Sequence, residues 1–147
     1  MAYAKGQIAV KGYQISNYGA PGQTFQIYTS ANGANQSIVK DGVSYLISAL
    51  QRGIPVVVGI DDQTGSSNPQ TDKTTDHFVV IVGSGSDTKG KYFLFYDNAS
   101  ADPKQGASLN NKLYYDSSSG MIQGSSQTSY AQGLTYTVTM IRKSKKL

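Results

Sequence analysis

The stretch from Val43 to Tyr96 narrows the folds open to this chain more than any other. Val43, Leu46, Ile47 and Leu50 recur at i, i+3, i+4 and i+7, the spacing of one apolar helical stripe. Ser37 or Asp41 suits the N-cap, Gly53 the position after the C-cap, and Pro55 forbids continuation. Val56–Ile60 follows as an unbroken apolar run, the signature of a strand covered on both faces. Phe78–Val82 and Tyr92–Tyr96 predict two more strands, joined through the polar segment Gly83–Gly90, which carries no apolar residue and is expected to be a flexible turn. Every apolar run is far shorter than the roughly 20 residues a membrane-spanning helix needs. The pattern predicts an α+β fold: a twisted antiparallel sheet or half-open barrel with one main helix.

The flanking segments are consistent with this class. Ile8–Tyr18 is rich in β-formers and is expected to hold one or two short strands. Gly19–Gly22 is a turn cluster, and Phe25, Ile27 and Thr29 alternate as in a strand. Asp61–Thr75 is a long polar loop, Leu113–Tyr115 a short strand, and Ser117–Ser129 a polar Gly/Ser-rich stretch without a clear element. Leu134, Tyr136, Val138 and Met140 alternate with threonines, which predicts a last strand with one wetter face. With 147 residues, no internal repeat and no visible boundary, residues 1–147 are expected to form a single domain.

Other absences restrict the chemistry. The chain has no cysteine, so it holds no disulfide, no thiolate metal site and no cysteine nucleophile of its own. Its net charge of +4 owes much to Arg142, Lys143, Lys145 and Lys146, expected to be a solvated end, and neither a basic helix face nor interleaved aromatics point to nucleic acid. Met1 is followed at once by polar, Gly-containing sequence, so no signal peptide is expected at this start unless it is not the native one. The Ser-, Thr- and Asn-rich, low-charge composition suits a secreted or cell-envelope protein, while a cytoplasmic location stays open.

His77 is the single histidine, at the start of a predicted strand. If His77–Val82 and Tyr92–Asp97 pair with Val82 across from Tyr92, His77 faces Asp97 on one side of the sheet. A carboxylate there would orient the ring and support its charged form. A slip of one residue would bring Asn98 instead, which orients without adding charge. His77, Asp97 and Asn98 are therefore the candidate catalytic residues. Asp61, Asp62, Asp72 and Asp76 cluster before His77, but they lack the spacing of an EF-hand loop and are expected to be a solvated acidic loop. Zinc would find His77 as its only nitrogen ligand. Gly83–Asp87 lacks the helix and Lys-Ser/Thr of a phosphate cradle, and Ser100 has no nucleophile-elbow context. Tyr92, Tyr96, Tyr114, Tyr115, Tyr130 and Tyr136 are expected to be strand residues with buried rings and wet hydroxyls, the alternative being an aromatic ligand groove.

In order along the chain, "VSYLISALQRGIPVVVGID", "DHFVVIVGSG" and "KYFLFYDNA" resemble the C-terminal half of papain-like cysteine peptidases and amidases. The helix, the buried strand, the His at a strand start and the aromatic strand ending in Asp come in that family's order, over roughly Val43 to Asn98. The resemblance implies that His77 is the general base and Asp97 its orienting partner. It also implies a peptide or amide substrate, no metal and no cofactor. The family's nucleophilic Cys and oxyanion-hole Gln precede this region; neither is present, and Gln23 has no Cys after it. The expectation is thus the base-bearing half of a hydrolase, a fragment or a split chain completed by a Cys-bearing N-terminal segment. A bacterial toxin or effector with an inhibitor or immunity protein as partner would suit this chemistry. The alternative is a non-catalytic binding module, a degenerate relative that keeps the fold.

Overall fold

The computed structural model describes residues 2–15, 22–29, 31–62 and 75–146. Most of the turn expected at Gly19–Gly22 and of the Asp61–Thr75 loop, Asp72 included, lies outside them.

Helix α1 spans Ala2–Val10 and is followed by strands β1 (Tyr13–Ile15), β2 (Thr24–Gln26), β3 (Tyr28–Thr29) and β4 (Gly33–Ala34). Ile8 therefore belongs to a helix, not to the strand expected from Ile8–Tyr18. Ala4 and Ile8, four residues apart, are the positions α1 buries, whereas Val10 is left exposed. The main helix, α2, runs from Gln36 to Gln51. Its N-cap is Asn35, not Ser37 or Asp41, and Asn35 Oδ1 accepts the Ile38 N–H at 3.2 Å. Gly53 ends it as expected, at φ +73°, with its N–H on the Leu50 carbonyl and the Ile54 N–H on the Ala49 carbonyl. The buried face of α2 is Val39, Gly42, Leu46 and Ala49, rotated from the predicted stripe so that Ile47 is exposed. Gly42 explains the rotation. A Cβ there would lie 2.7 Å from Ile141 Cδ1, so a bare backbone lets the helix settle on the last long strand.

Six strands make the body: β5 (Val56–Asp61), β6 (His77–Asp87), β7 (Gly90–Tyr96), β8 (Lys112–Asp116), β9 (Met121–Ser125) and β10 (Tyr136–Arg142). They pair antiparallel in the order β10–β5–β6–β7–β8–β9, and β9 returns to β10 through Tyr136–Gly124 and Thr137–Gln123. The barrel is closed rather than half-open. Closure is possible because β10 changes partner along one edge: its first residues pair with β9 and Met140–Arg142 with β2, while β5 holds the other edge.

β5 is buried at every residue, as its apolar run predicts. Gly83–Asp87 is part of β6, not a flexible turn; its backbone pairs with β7 although no apolar side chain marks it. β9 falls in the polar stretch without a predicted element, and only Ile122 of it is buried. β10 has no wetter face. Thr137 and Thr139 are fully buried, with Thr137 Oγ1 accepting from Gln123 Nε2 at 2.9 Å and Thr139 Oγ1 meeting Thr75 Oγ1 at 2.6 Å. The basic end is a strand too: β11 (Ser144–Lys146) pairs with β1, and Lys143 Nζ lies 5.3 Å over the Phe25 ring. A four-residue helix, α3 (Pro103–Gly106), and a 3-10 turn at Ser129–Ala131 lie among the loops near the end of β7. No described helix is long and apolar enough to cross a membrane.

Candidate active site

Three strand ends meet at one end of the barrel: β5 closes on Asp61, β6 opens on His77 and β7 closes on Tyr96, one residue before Asp97. Across β5 and β6, Ile60 faces His77, Val58 faces Val79 and Val56 faces Ile81, so His77 finishes an apolar row.

The pairing of β6 with β7 differs from the sequence expectation in an informative way. Gly85, not Val82, lies across from Tyr92, and Val80 lies across from Tyr96. Extended past the strand end, this register places Asp97 diagonal to His77 on the same face. On the His77 side of the strand pair the expected register is displaced by two residues, which keeps His77 and Asp97 on one face; on the Tyr92 side it is displaced by three. A bulge at Val82 is decisive here. Carried straight through, the register of Gly83–Leu94 and Gly85–Tyr92 would have set Asn98 in the diagonal place. With the bulge, Asp97 takes it and Asn98 is exposed on the following turn.

His77 Nε2 and Asp97 Oδ1 are 2.8 Å apart, with 17% of the His77 side chain exposed and none of the Asp97 side chain. Oδ1 also accepts the Ala99 N–H at 2.9 Å, and Oδ2 accepts from Ser126 Oγ at 2.6 Å and Tyr136 OH at 2.8 Å. Burial, the largest single influence, would raise the Asp97 pKa. Hydrogen bonds from His77, Ser126, Ala99 and Tyr136 together outweigh it and hold the pKa at about 2. An ionised carboxylate only accepts, so Nε2 of His77 carries the proton and Nδ1 of the neutral ring keeps its lone pair. Nδ1 has no hydrogen-bond partner among the described residues. The rings of Tyr130 and Tyr136 lie 5.7 and 6.0 Å from the imidazole and restrict its tilt.

Two of the acidic residues expected in a solvated loop are not solvated, although Asp76 is exposed. Asp61 and Asp62 are buried. The Asp62 N–H donates to Asp76 Oδ2 at 3.1 Å, and Tyr130 OH donates to Asp62 Oδ2. Partial desolvation and a carboxyl–carboxyl hydrogen bond with Asp61 push Asp76 up to about 6, and the bond to Asp62 pushes Tyr130 up to about 12. No cluster among the described residues has the geometry to hold a metal ion. Of the tyrosines read as buried strand residues, Tyr136 is fully buried, whereas Tyr96 and Tyr130 are exposed.

Ser126 and Tyr136 were not anticipated as part of this site. They sit 29 and 39 residues from Asp97, and only the closing of the ring brings them to it. Beside Asp97, on the side of Phe78, Tyr96 and Asn98, a groove of about 290 Å³ is also lined by Tyr3 of α1.

Barrel and covering helix together make an α+β barrel fold with a His–Asp pair at one end. The chain belongs to the Peptidase_C39 like family, whose model matches residues 4–121, a span that includes both His77 and Asp97. No curated protein and no solved structure shows a significant match to the chain.

Proposed function

We propose that this chain is the base-bearing part of a cysteine peptidase or amidase, with His77 as general base, Asp97 as its orienting partner and the nucleophilic thiol supplied by a segment outside the chain. The observation that carries this is the Nε2–Oδ1 bond of 2.8 Å to a buried, ionised carboxylate, which leaves Nδ1 able to accept a proton. A thiol at hydrogen-bond distance from Nδ1 would give up its proton there. The resulting thiolate attacks the substrate carbonyl, and the imidazolium, stabilised by Asp97, returns the proton to the leaving amine. The exposure of Asn98 on the turn after β7 and its part in lining the groove support a role in meeting substrate rather than in holding the ring.

The position of α1 supports an N-terminal source for the thiol. The Tyr3 ring in its first turn lies 5.3 Å from that of Tyr96, the residue before Asp97, so α1 starts at the end of the barrel where the pair sits. A role as toxin or effector, with an immunity protein as partner, extends the same reading to a secreted or envelope setting.

The absence of cysteine favours one other reading, a relative that keeps the fold for binding. Expression of the reading frame with the residues encoded upstream of Met1 separates the two. The hydrolase reading predicts a cysteine opening a helix that runs into α1, and faster iodoacetamide labelling of that cysteine when His77 is present than in His77→Ala. An upstream frame that encodes a signal peptide or an unrelated domain, with no cysteine, contradicts it and supports the binding module.

A further inference from the structure

We propose that Ser126 and Tyr136 are positioning residues: their hydroxyls lock the Asp97 carboxylate so that Oδ1 keeps the Nε2–H of His77 and Nδ1 stays the nitrogen available to a reacting group. The proposal rests on the reading of His77 and Asp97 as a base and its orienter, and adds the groups that make the orienter rigid.

A buried carboxylate with one partner can rotate about its last side-chain bond and let go of the ring. Asp97 cannot do so cheaply. Oδ2 is held from two sides, by Ser126 at 2.6 Å and Tyr136 at 2.8 Å, so any rotation that frees Oδ1 breaks both bonds where the side chain has no access to water. The two hydroxyls are themselves fixed. The Tyr136 ring packs 6.0 Å from Phe95 and edge-on to His77, which sets where its oxygen points. Ser126 Oγ accepts the Thr128 N–H at 3.3 Å and meets Thr128 Oγ1 at 3.2 Å.

Ser126 and the Asp97 main chain are tied to one support, Asn111, which is fully buried. Its Oδ1 accepts the N–H of Gln127, next to Ser126, at 2.7 Å, and its Nδ2 donates to the Gly106 carbonyl at 3.2 Å. The same Gly106 carbonyl accepts the Asp97 N–H at 2.8 Å. Residues from four separate parts of the chain thus converge on one carboxylate. A cluster kept only for stability would need its polar atoms satisfied, but would not need a particular Asp97 oxygen to face the ring.

Because His77 is the only histidine, its ring gives a single set of NMR signals in the intact chain. The test measures solvent exchange of the His77 Nε2–H and the carboxyl 13C titration of Asp97 in wild type, Tyr136→Phe and Ser126→Ala, each variant removing one oxygen. The proposal expects a slowly exchanging Nε2–H in wild type. In either variant it expects exchange about tenfold faster or more, the factor for losing one hydrogen bond to a charged group. The Asp97 midpoint should rise from about 2 while the Ile81 and Phe95 amides stay as protected as before. If one variant does not fold, the other reads the same quantity independently. Slow exchange and an unmoved Asp97 midpoint in the folded variants would overturn the positioning role alone. Fast exchange in wild type would instead remove the His77–Asp97 pair itself.

Discussion

Asp97 and Asp76 lie at the same end of the barrel, and their environments push them in opposite directions. Asp97 is held at about 2, below its ordinary 3.8. Its contribution to stability is therefore complete above pH 3.8 and is lost as the pH falls through 3.8 towards 2. A shift of that size corresponds to about 2 kcal/mol at neutral pH. Asp76 is raised to about 6, so what it contributes is complete below 3.8 and is lost as the pH rises through 6. These two groups predict a melting temperature that peaks near pH 4 and declines between about pH 4 and pH 6. Asp76→Asn should flatten the alkaline limb, and Asp97→Asn should lower the neutral-pH value and flatten the acid limb. Melting curves that keep one pH profile in wild type and both variants would contradict this. The His77–Asp97 contact was legible in the sequence because face parity survives an even displacement of register. The hydroxyls on Oδ2 were not, since no local pattern links Ser126 or Tyr136 to a residue 29 or 39 positions away.

Two close approaches of backbone to neighbouring elements predict different responses to added volume. A Cβ on Gly106, in α3, would fall 2.5 Å from the Asp97 carbonyl oxygen, main chain that cannot yield without moving the site. Gly106→Ala should cost about 1–3 kcal/mol. A Cβ on Gly42 meets the tip of Ile141, a flexible side chain, and Ala regains about 1 kcal/mol of helix propensity there. Gly42→Ala should therefore leave chemical-denaturation stability within about 1 kcal/mol of wild type; if Gly106→Ala proved as mild as Gly42→Ala, this account of the packing would be wrong. Small residues also explain where the sequence misled. The face of α2 that touches the sheet includes Gly42 and Ala49, which an apolar stripe does not count. α1 has only Ala4 and Ile8 to announce a helix, and β9 only Ile122 to announce a strand. By contrast, α2, β5 and the first half of β6 bury enough Leu, Ile and Val for the pattern alone to define them.

The closed ring gives the molecule its candidate chemistry. Strands β6 and β7 bring base and acid together, β10 and the segment after β9 hold the acid, and α1 starts beside a groove that Asp97 helps to line. The alternation of β10 predicted a solvated threonine face, but Thr137 and Thr139 are buried, with Gln123 and Thr75 on their hydroxyls. What the ring lacks is a thiol. The most direct measurement is hydrolysis of a peptide-amide library by the chain extended with its natively encoded upstream residues, compared with the same protein carrying His77→Ala. The account predicts turnover that is blocked by a thiol reagent and reduced about 10²–10⁴-fold by His77→Ala, the range for loss of a general acid–base group. Turnover that survives both would contradict it.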